Sequence, residues 1–168
     1  AEAARLGAPI LTGPTSVPVE REEGPSGVRI VASHNGYQDN LRLIHERDIT
    51  LSQDGSVLDG IDRFRPTART GRDHEFAIRF HLHPAIKASS IRSGTGILLV
   101  APDGEAWEFT APGCEMGIEE SIYLSDSSGH RRCEQIVLYG RLTHRREAAW
   151  QFCRTAAGRA TRRRVSDT

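Results

Sequence analysis

The chain has little of several features that define common protein classes. Its 168 residues include three cysteines, ten aromatic residues and a single lysine, Lys87, so that 21 of the 22 basic residues are arginines. The longest unbroken apolar run is 97–101, far shorter than the roughly 20 residues that a membrane-spanning helix needs. The 22 acidic residues balance the 22 basic ones, whereas proteins that bind nucleic acid through its phosphates carry an excess of positive charge. We therefore expect neither a membrane nor a nucleic acid as a partner.

The usual signatures of catalysis and of cysteine frameworks are also missing. Cys114, Cys133 and Cys153 are far apart and form no C-x-x-C pair, which is not the pattern of a disulfide scaffold or a structural zinc site. There is no G-x-S-x-G nucleophile motif, no phosphate-binding loop and no dinucleotide fingerprint. These absences exclude classes of protein but do not indicate a function.

What the sequence does contain is alternation of apolar and polar residues from position 28 to about position 152. A period of two residues is typical of half-buried β-strands. Asp-Gly pairs at 54–55 and 103–104 lie between alternating runs, and this is a strong signal for a hairpin turn. No stretch of ten or more residues in this region has the apolar spacing of a helix. Strands are predicted over 28–37, 41–52, 57–65, 76–83, 97–101, 105–110, 118–124, 134–142 and 147–154.

Many short strands at this spacing predict an all-β fold, an antiparallel β-sandwich. We place the sandwich domain at residues 28–155. Residues 1–27 contain several prolines and glycines and no periodic pattern, so they predict an irregular N-terminal arm. Residues 156–168 contain four arginines and predict a basic C-terminal tail.

Ionisable residues interrupt the apolar faces of several predicted strands. Alternation places His45 and Arg47 on the apolar face of one strand, His34 at the end of the apolar face of another, and Glu120 on that of a third. An unpaired charge on a core face costs on the order of several kcal/mol. We therefore predict that Arg47 lies near Glu120, with His45 or His34 in the same polar network.

Two interpretations of these residues remain open at this point. The favoured one is a buried polar network that stabilises the sheet. In the other, the faces open onto a substrate groove, and His34, Tyr37, His45, Arg47 and Glu120 contact a sugar.

The segment 79–83 provides a second set of candidates. Alternation places Arg79, His81 and His83 on one face of a strand and apolar residues on the other. Two histidines separated by one residue can share a metal ion, but no Asp or Glu follows at a spacing that would complete the site. An exposed sheet face is the favoured interpretation, and metal or anion binding is the alternative.

Short segments carry a resemblance that no one of them would carry alone. They occur in one order between positions 10 and 152, without large gaps. They are 32–37 (ASHNGY), 43–47 (LIHER), 51–55 (LSQDG), 58–63 (LDGIDR), 76–84 (FAIRFHLHP), Trp107, 119–123 (EESIY) and 134–137 (EQIV). Together they resemble the C-terminal β-rich part of heparinase II/III-like polysaccharide lyases, in the form found in alphaproteobacteria.

The resemblance implies a supersandwich-like β domain coupled to an N-terminal (α/α) toroid. It also implies cleavage of acidic, uronic-acid-containing polysaccharide by β-elimination, with a Tyr/His pair carrying the proton transfers. The family's toroid, with its catalytic residues, and the His- and Asp-rich stretch that holds its metal have no counterpart in this sequence. We therefore expect no catalytic residue, no metal and no cofactor in this segment, zinc in the parent protein being held by residues absent here. The expected partners are an acidic polysaccharide and the missing toroid.

The leading hypothesis is thus a segment that supports the cleft of a lyase and lacks activity alone, with the periplasm expected and the cytoplasm left open. One alternative is a stand-alone carbohydrate-binding module, and another is a small metal-dependent enzyme that uses His81 and His83. A binding module needs exposed aromatic platforms, whereas most of the aromatic residues lie on apolar faces of predicted strands. These are Phe76, Phe80, Trp107, Phe109, Trp150 and Phe152.

Overall fold

The computed structural model describes residues 13–68, 73–124 and 129–155. In this part of the chain nearly all of the regular structure is β-strand, joined by the short helix α1 (Gln38–Leu41) and one 3₁₀ turn. None of its helices is long and apolar enough to cross a membrane. The strands are β1 (Val19–Gly24), β2 (Gly27–His34), β3 (Leu43–Ser52), β4 (Val57–Pro66), β5 (Glu75–His81), β6 (Lys87–Ile91), β7 (Gly96–Val100), β8 (Ala106–Thr110), β9 (Glu115–Tyr123), β10 (Arg131–Arg141) and β11 (Glu147–Arg154).

The strands form two antiparallel sheets, which confirms the predicted all-β sandwich. The larger sheet has eight strands in the order β1-β2-β3-β4-β11-β8-β7-β6, and the smaller has the order β5-β10-β9. Their facing sides bury one apolar core between them, as expected for stacked sheets. The buried core residues are Phe64, Ile78, Leu82, Ile97, Leu99, Phe109, Ala111, Ile136, Leu138, Ala148 and Trp150.

Two strands were not predicted, and they are the two edges of the larger sheet. The prediction of an irregular arm over 1–27 is wrong for Val19–Gly24, which pairs with β2 from Val19 opposite Ala32 to Gly24 opposite Gly27. All six residues of β1 are exposed, so this strand has no apolar stripe to reveal it. The edge strand β6 also buries no residue fully. Residues 1–12 and the predicted basic tail 156–168 lie outside the described residues.

The hairpin of β3 and β4 determines which side chains meet at the inner face of the larger sheet. It turns through Asp54 and Gly55, and Gly55 has a φ of 66°, a value that glycine adopts without strain. The resulting register sets Arg47 opposite Asp62. Directly opposed residues of antiparallel strands share a face and interact, so Asp62 projects from the same face as Arg47.

Part of the inner face of the larger sheet is not covered by the smaller sheet. Over β4 the ring of Phe76 lies 4.6 Å from that of Phe64, but the neighbouring strands towards the β1 edge expose apolar side chains. Val19, Ile30 and Leu51 are 60%, 38% and 41% exposed. We refer to these three residues as the open face.

Candidate functional site

Asp62 is the centre of a polar network on the inner face of the sheet. Its side chain is fully buried, and both carboxylate oxygens accept two hydrogen bonds. Oδ1 accepts from Nε2 of His45 at 2.6 Å and from Nε of Arg47 at 2.8 Å. Oδ2 accepts from Nη2 of Arg47 at 3.1 Å and from the indole Nε1 of Trp150 at 2.7 Å. With His34, which joins through His45, these residues form what we call the Asp62 network.

The environment of Asp62 favours the ionised carboxylate. Burial acts to raise the pKa of Asp62, but the hydrogen bonds from His45, Arg47 and Trp150 outweigh it and hold that pKa below its usual range. The buried carboxylate needs these hydrogen bonds, because a buried charge without partners is strongly destabilising.

The two histidines form a directional chain of hydrogen bonds that ends at Asp62. The backbone N–H of Gly36 donates to Nδ1 of His34 at 3.2 Å, so the proton of a neutral His34 is on Nε2. That nitrogen lies 3.2 Å from Nδ1 of His45, which accepts, and Nε2 of His45 then donates to Asp62. One set of neutral tautomers therefore satisfies all four ring nitrogens. Burial, and secondarily the neighbouring His45, lowers the pKa of His34, which favours this neutral form.

The network reaches the surface at His34. A cavity of about 390 Å³ has His34 and Tyr37 in its wall, at the entry to α1. The ring centroids of these two residues are 5.2 Å apart, and Tyr37 is 45% exposed. The structure thus brings together His34, Tyr37, His45 and Arg47 of the residues selected from the sequence.

Glu120 is not part of this group. The carboxylate that pairs with Arg47 is Asp62, whereas Glu120 is exposed on β9 and lies opposite Glu134 of β10. The predicted pairing of Arg47 with Glu120 is therefore wrong. Sequence reasoning missed Asp62, although a two-residue turn at Asp54 and Gly55 would have set it opposite Arg47.

The residues Arg79, His81 and His83 do not share a ligand. Arg79 pairs with Glu119 at 2.8 Å, and Nδ1 of His81 lies 2.9 Å from Oγ of Ser121. His83 lies beyond the end of β5, with its ring centroid 5.1 Å from that of Tyr123. Within residues 13–68, 73–124 and 129–155, no three His, Cys, Asp or Glu side chains meet closely enough to hold a metal ion.

The outer face of the same hairpin carries a separate set of ion pairs. Arg29 binds Asp48 through two hydrogen bonds of 2.9 and 2.8 Å, and Arg63 contacts both Glu46 and Asp48 at 3.1 and 3.3 Å. The hydrogen bonds from Arg29 lower the pKa of Asp48, and Arg63 adds to this effect. This cluster was not predicted. It joins β2, β3 and β4 across their register and leaves both acids paired.

The fold and the network describe a β-sandwich domain whose inner polar residues are paired internally. The sequence matches the family described as Heparinase II/III-like, C-terminal, over residues 2–156. The chain belongs to this family.

The chain is also similar to individual proteins and solved structures. The chain is 31% identical over 140 residues to FtsZ-localized protein C of Caulobacter vibrioides, covering 79% of this chain and 24% of that protein. It superimposes on the heparan sulfate lyase HepC of Pedobacter heparinus with a TM-score of 0.68 and 12% identity, covering 87% of this chain and 23% of the lyase. A heparinase III gives a TM-score of 0.66 at 12% identity, with coverage of 87% and 22%. At these identities the structures show a shared fold, and the chain spans about a quarter of each relative's length.

Proposed function

We propose that this chain is the C-terminal β-sandwich of a polysaccharide lyase that cleaves a uronic-acid-containing polysaccharide by β-elimination. In such a reaction a base removes the proton at C5 of the uronate and an acid protonates the departing oxygen. This segment supports the substrate cleft and is inactive alone. Membership of the heparinase II/III-like family supports the proposal, and so does the fold shared with a heparan sulfate lyase.

The observation that carries the supporting role is the internal pairing of the Asp62 network. A general base needs a lone pair that can reach the substrate proton. In His34 and His45 both lone pairs are occupied, one by the N–H of Gly36 and the other by Nε2 of His34. The network therefore holds β2, β3, β4 and β11 together, and we place the proton transfers in the remainder of the parent protein.

The open face supplies a surface on which that remainder can dock. Val19, Ile30 and Leu51 are exposed apolar side chains on one side of the sheet, and exposed apolar residues grouped on one face can mark an interaction site. The relatives are about four times as long as this chain. We propose that the N-terminal toroid of the parent protein covers the open face.

The test is the ultraviolet absorbance of unsaturated uronates released from heparin, heparan sulfate and alginate. The chain alone and the full-length parent are assayed side by side. Product from the parent alone is the expected result. Product from this chain alone would contradict the supporting role, and silence from both on all three substrates would overturn the lyase proposal. A periplasmic location belongs to the same proposal and is tested by cell fractionation.

A second candidate function rests on the relative FtsZ-localized protein C. Its 31% identity to this chain exceeds the 12% identity of the lyases. In this candidate the chain belongs to a protein that localises with FtsZ and cleaves no polysaccharide. A fluorescent fusion of the full-length protein that follows FtsZ, together with silence in the uronate assay, would favour it.

The remaining alternatives have less support. All ten aromatic residues lie in the part of the chain that the structure describes, and of these only Tyr37 is exposed. A stand-alone binding module that stacks sugars on an aromatic platform is therefore disfavoured. A metal-dependent enzyme built on His81 and His83 is disfavoured because the two rings contact different partners.

A further inference from the structure

A groove of about 630 Å³ lies outside the Asp62 network, at one end of the smaller sheet. Its walls come from the first residues of β5, the start of β9, the end of β10 and the turn between β10 and β11. Among its lining residues are Phe76, Glu115, Tyr139 and Arg145. We call this the Arg145 groove.

The backbone of Arg145 belongs to a tight turn, and its side chain lies beside a glycine. The backbone N–H groups of His144 and Arg145 both donate to the carbonyl of Arg141, at 3.0 and 2.8 Å, which closes the turn. The guanidinium lies against Gly113, where a Cβ atom would come within 2.4 Å of Nη2 of Arg145. Gly113 also has a φ of 72°, a backbone conformation that favours glycine, and the absence of a Cβ atom leaves room for the guanidinium.

Arg145 is partly buried and has no acidic partner among the described residues. The neighbouring Arg141 differs, because it pairs with Glu75 and, at 3.5 Å, with Asp73. A partly desolvated guanidinium is most stable when an anion accepts its hydrogen bonds. The groove therefore offers a partly buried cation for which the described residues supply no anionic partner.

Tyr139 is the aromatic residue of the groove that lies on the outer face of the smaller sheet. Phe76 lies opposite Gly140, and its ring packs towards the core, 4.6 Å from that of Phe64, so it closes the inner end of the groove. Tyr139 is held in place by a hydrogen bond from its hydroxyl to Glu119. A half-buried aromatic ring near a guanidinium combines an apolar surface with bidentate recognition of a carboxylate or sulfate.

We propose that the Arg145 groove binds the acidic group of a polysaccharide, with Arg145 donating hydrogen bonds to a carboxylate or sulfate and the edge of the Tyr139 ring contacting the sugar. The choice of a polysaccharide as ligand rests on the proposed function. Glu115 in the same groove opposes the anion and limits the affinity.

The test is the binding of fluorescent heparan sulfate and alginate oligosaccharides to the 168-residue chain, followed by fluorescence anisotropy. Arg145→Gln is expected to weaken binding about tenfold, as the loss of a charge-assisted hydrogen bond would. Arg146→Gln is the matched control, because Arg146 is the exposed neighbour and does not line the groove. It is expected to change binding less than about twofold, since surface charges contribute little. Glu115→Gln is expected to tighten binding.

Several outcomes would overturn the proposal. Equal losses in Arg145→Gln and Arg146→Gln would indicate general attraction to basic surface, and no binding of either probe would remove the site. A folding defect in Arg145→Gln is controlled by Arg145→Lys, which retains the charge and is expected to retain most of the binding. Binding of both probes assigns the carboxylate as the recognised group, and binding of heparan sulfate alone assigns the sulfate.

This test is independent of the test for lyase activity. Binding is measured on the chain alone, which is proposed to be inactive, so a silent uronate assay leaves the binding result standing. Conversely, the full-length parent could release unsaturated uronates while Arg145→Gln leaves the binding of both probes unchanged. That combination would overturn the binding proposal for the Arg145 groove and leave the lyase proposal intact.

Discussion

Arg47 and Arg145 are both partly buried, but of these two the described residues supply an anion only to Arg47. Arg47 makes two hydrogen bonds to Asp62, and its guanidinium carbon lies 5.6 and 5.7 Å from the ring centroids of Phe80 and Trp150. Arg145 lies in a groove of about 630 Å³ without a carboxylate partner among the described residues. Arg47 is part of the packing of the sheet, whereas the guanidinium of Arg145 can still donate hydrogen bonds to a ligand. The charge of Arg47 thus stabilises the fold, and the charge of Arg145 is available to a ligand.

The largest loss of stability is expected when Asp62, the anion paired with Arg47, is replaced. Asp62→Asn keeps the shape of the side chain but leaves Arg47 without its anion and turns one acceptor into a donor facing its neighbours. Removing one partner of a buried ion pair costs about 3–5 kcal/mol, so urea denaturation should show a loss of that order. Asp59→Asn is the control, because Asp59 is an exposed acid on the same strand that accepts a hydrogen bond from Gln151. It should cost less than about 1 kcal/mol, and an equal loss in both variants would contradict the central role of Asp62.

A smaller effect is expected from Gly60→Ala, which disturbs the same network through packing. A Cβ atom at Gly60 would lie 2.1 Å from Cζ2 of Trp150, so the indole that donates to Asp62 must move. Overpacking of this kind costs about 1–3 kcal/mol. The control is Gly24→Ala, where a Cβ atom meets no neighbour within 4 Å. Urea midpoints of the two variants should differ clearly, and similar midpoints would show that the indole can shift at little cost.

The third prediction concerns pH and His34. The pKa of His34 in the folded protein lies below 6.5. As the pH falls, His34 is therefore protonated in the unfolded chain before it is protonated in the folded protein. The stability that depends on neutral His34 is therefore present above pH 6.5 and decreases as the pH falls below it. His34→Gln should flatten the change in unfolding free energy between pH 7 and pH 5, at a cost of about 1 kcal/mol at pH 7.

Urea titrations across this range measure the effect, with His130→Gln as a control at an exposed histidine. Asp62 acts in a different window, because its pKa is lowered below 3.8 and its contribution is lost only in more acidic solution. An unchanged pH dependence in His34→Gln would place the titrating group elsewhere.

The smallest effect on the free energy of unfolding is expected from replacing Arg145. Arg145→Gln breaks no ion pair with the described residues, so the free energy of unfolding should change by no more than about 0.5 kcal/mol. Arg47→Gln should be clearly more destabilising in the same denaturation experiment, because it leaves Asp62 without a cation. Equal costs for the two variants would mean that Arg145 is also part of the fold.

Most of the fold could be predicted because half-buried strands reveal themselves by alternation. The two strands that escaped prediction, β1 and β6, are edges with little burial, so an apolar stripe was not needed to form them. Their positions follow from pairing with β2 and β7, and such pairing leaves no local pattern in the sequence.

The candidate sites divide in a similar way. The histidines and Arg47 were identified because they interrupt apolar stripes, and the register of the hairpin at Asp54 and Gly55 contained the information that pairs Arg47 with Asp62. The Arg145 groove could not be inferred in this way. It arises where the loop before β9 meets the turn after β10. There Gly113, which has no side chain, leaves room for Arg145, 32 positions away in sequence.

The exposed strand β1 has a consequence for the behaviour of the protein in concentrated solution. Its residues are all exposed, and four consecutive ones are charged, Glu20, Arg21, Glu22 and Glu23. The free backbone groups of an edge strand can recruit another chain and extend the sheet without limit. Antiparallel addition of a second copy at this edge would bring an excess of carboxylates face to face, which opposes pairing. The charges of β1 thereby keep an eight-stranded sheet with an accessible edge from acting as a template for aggregation.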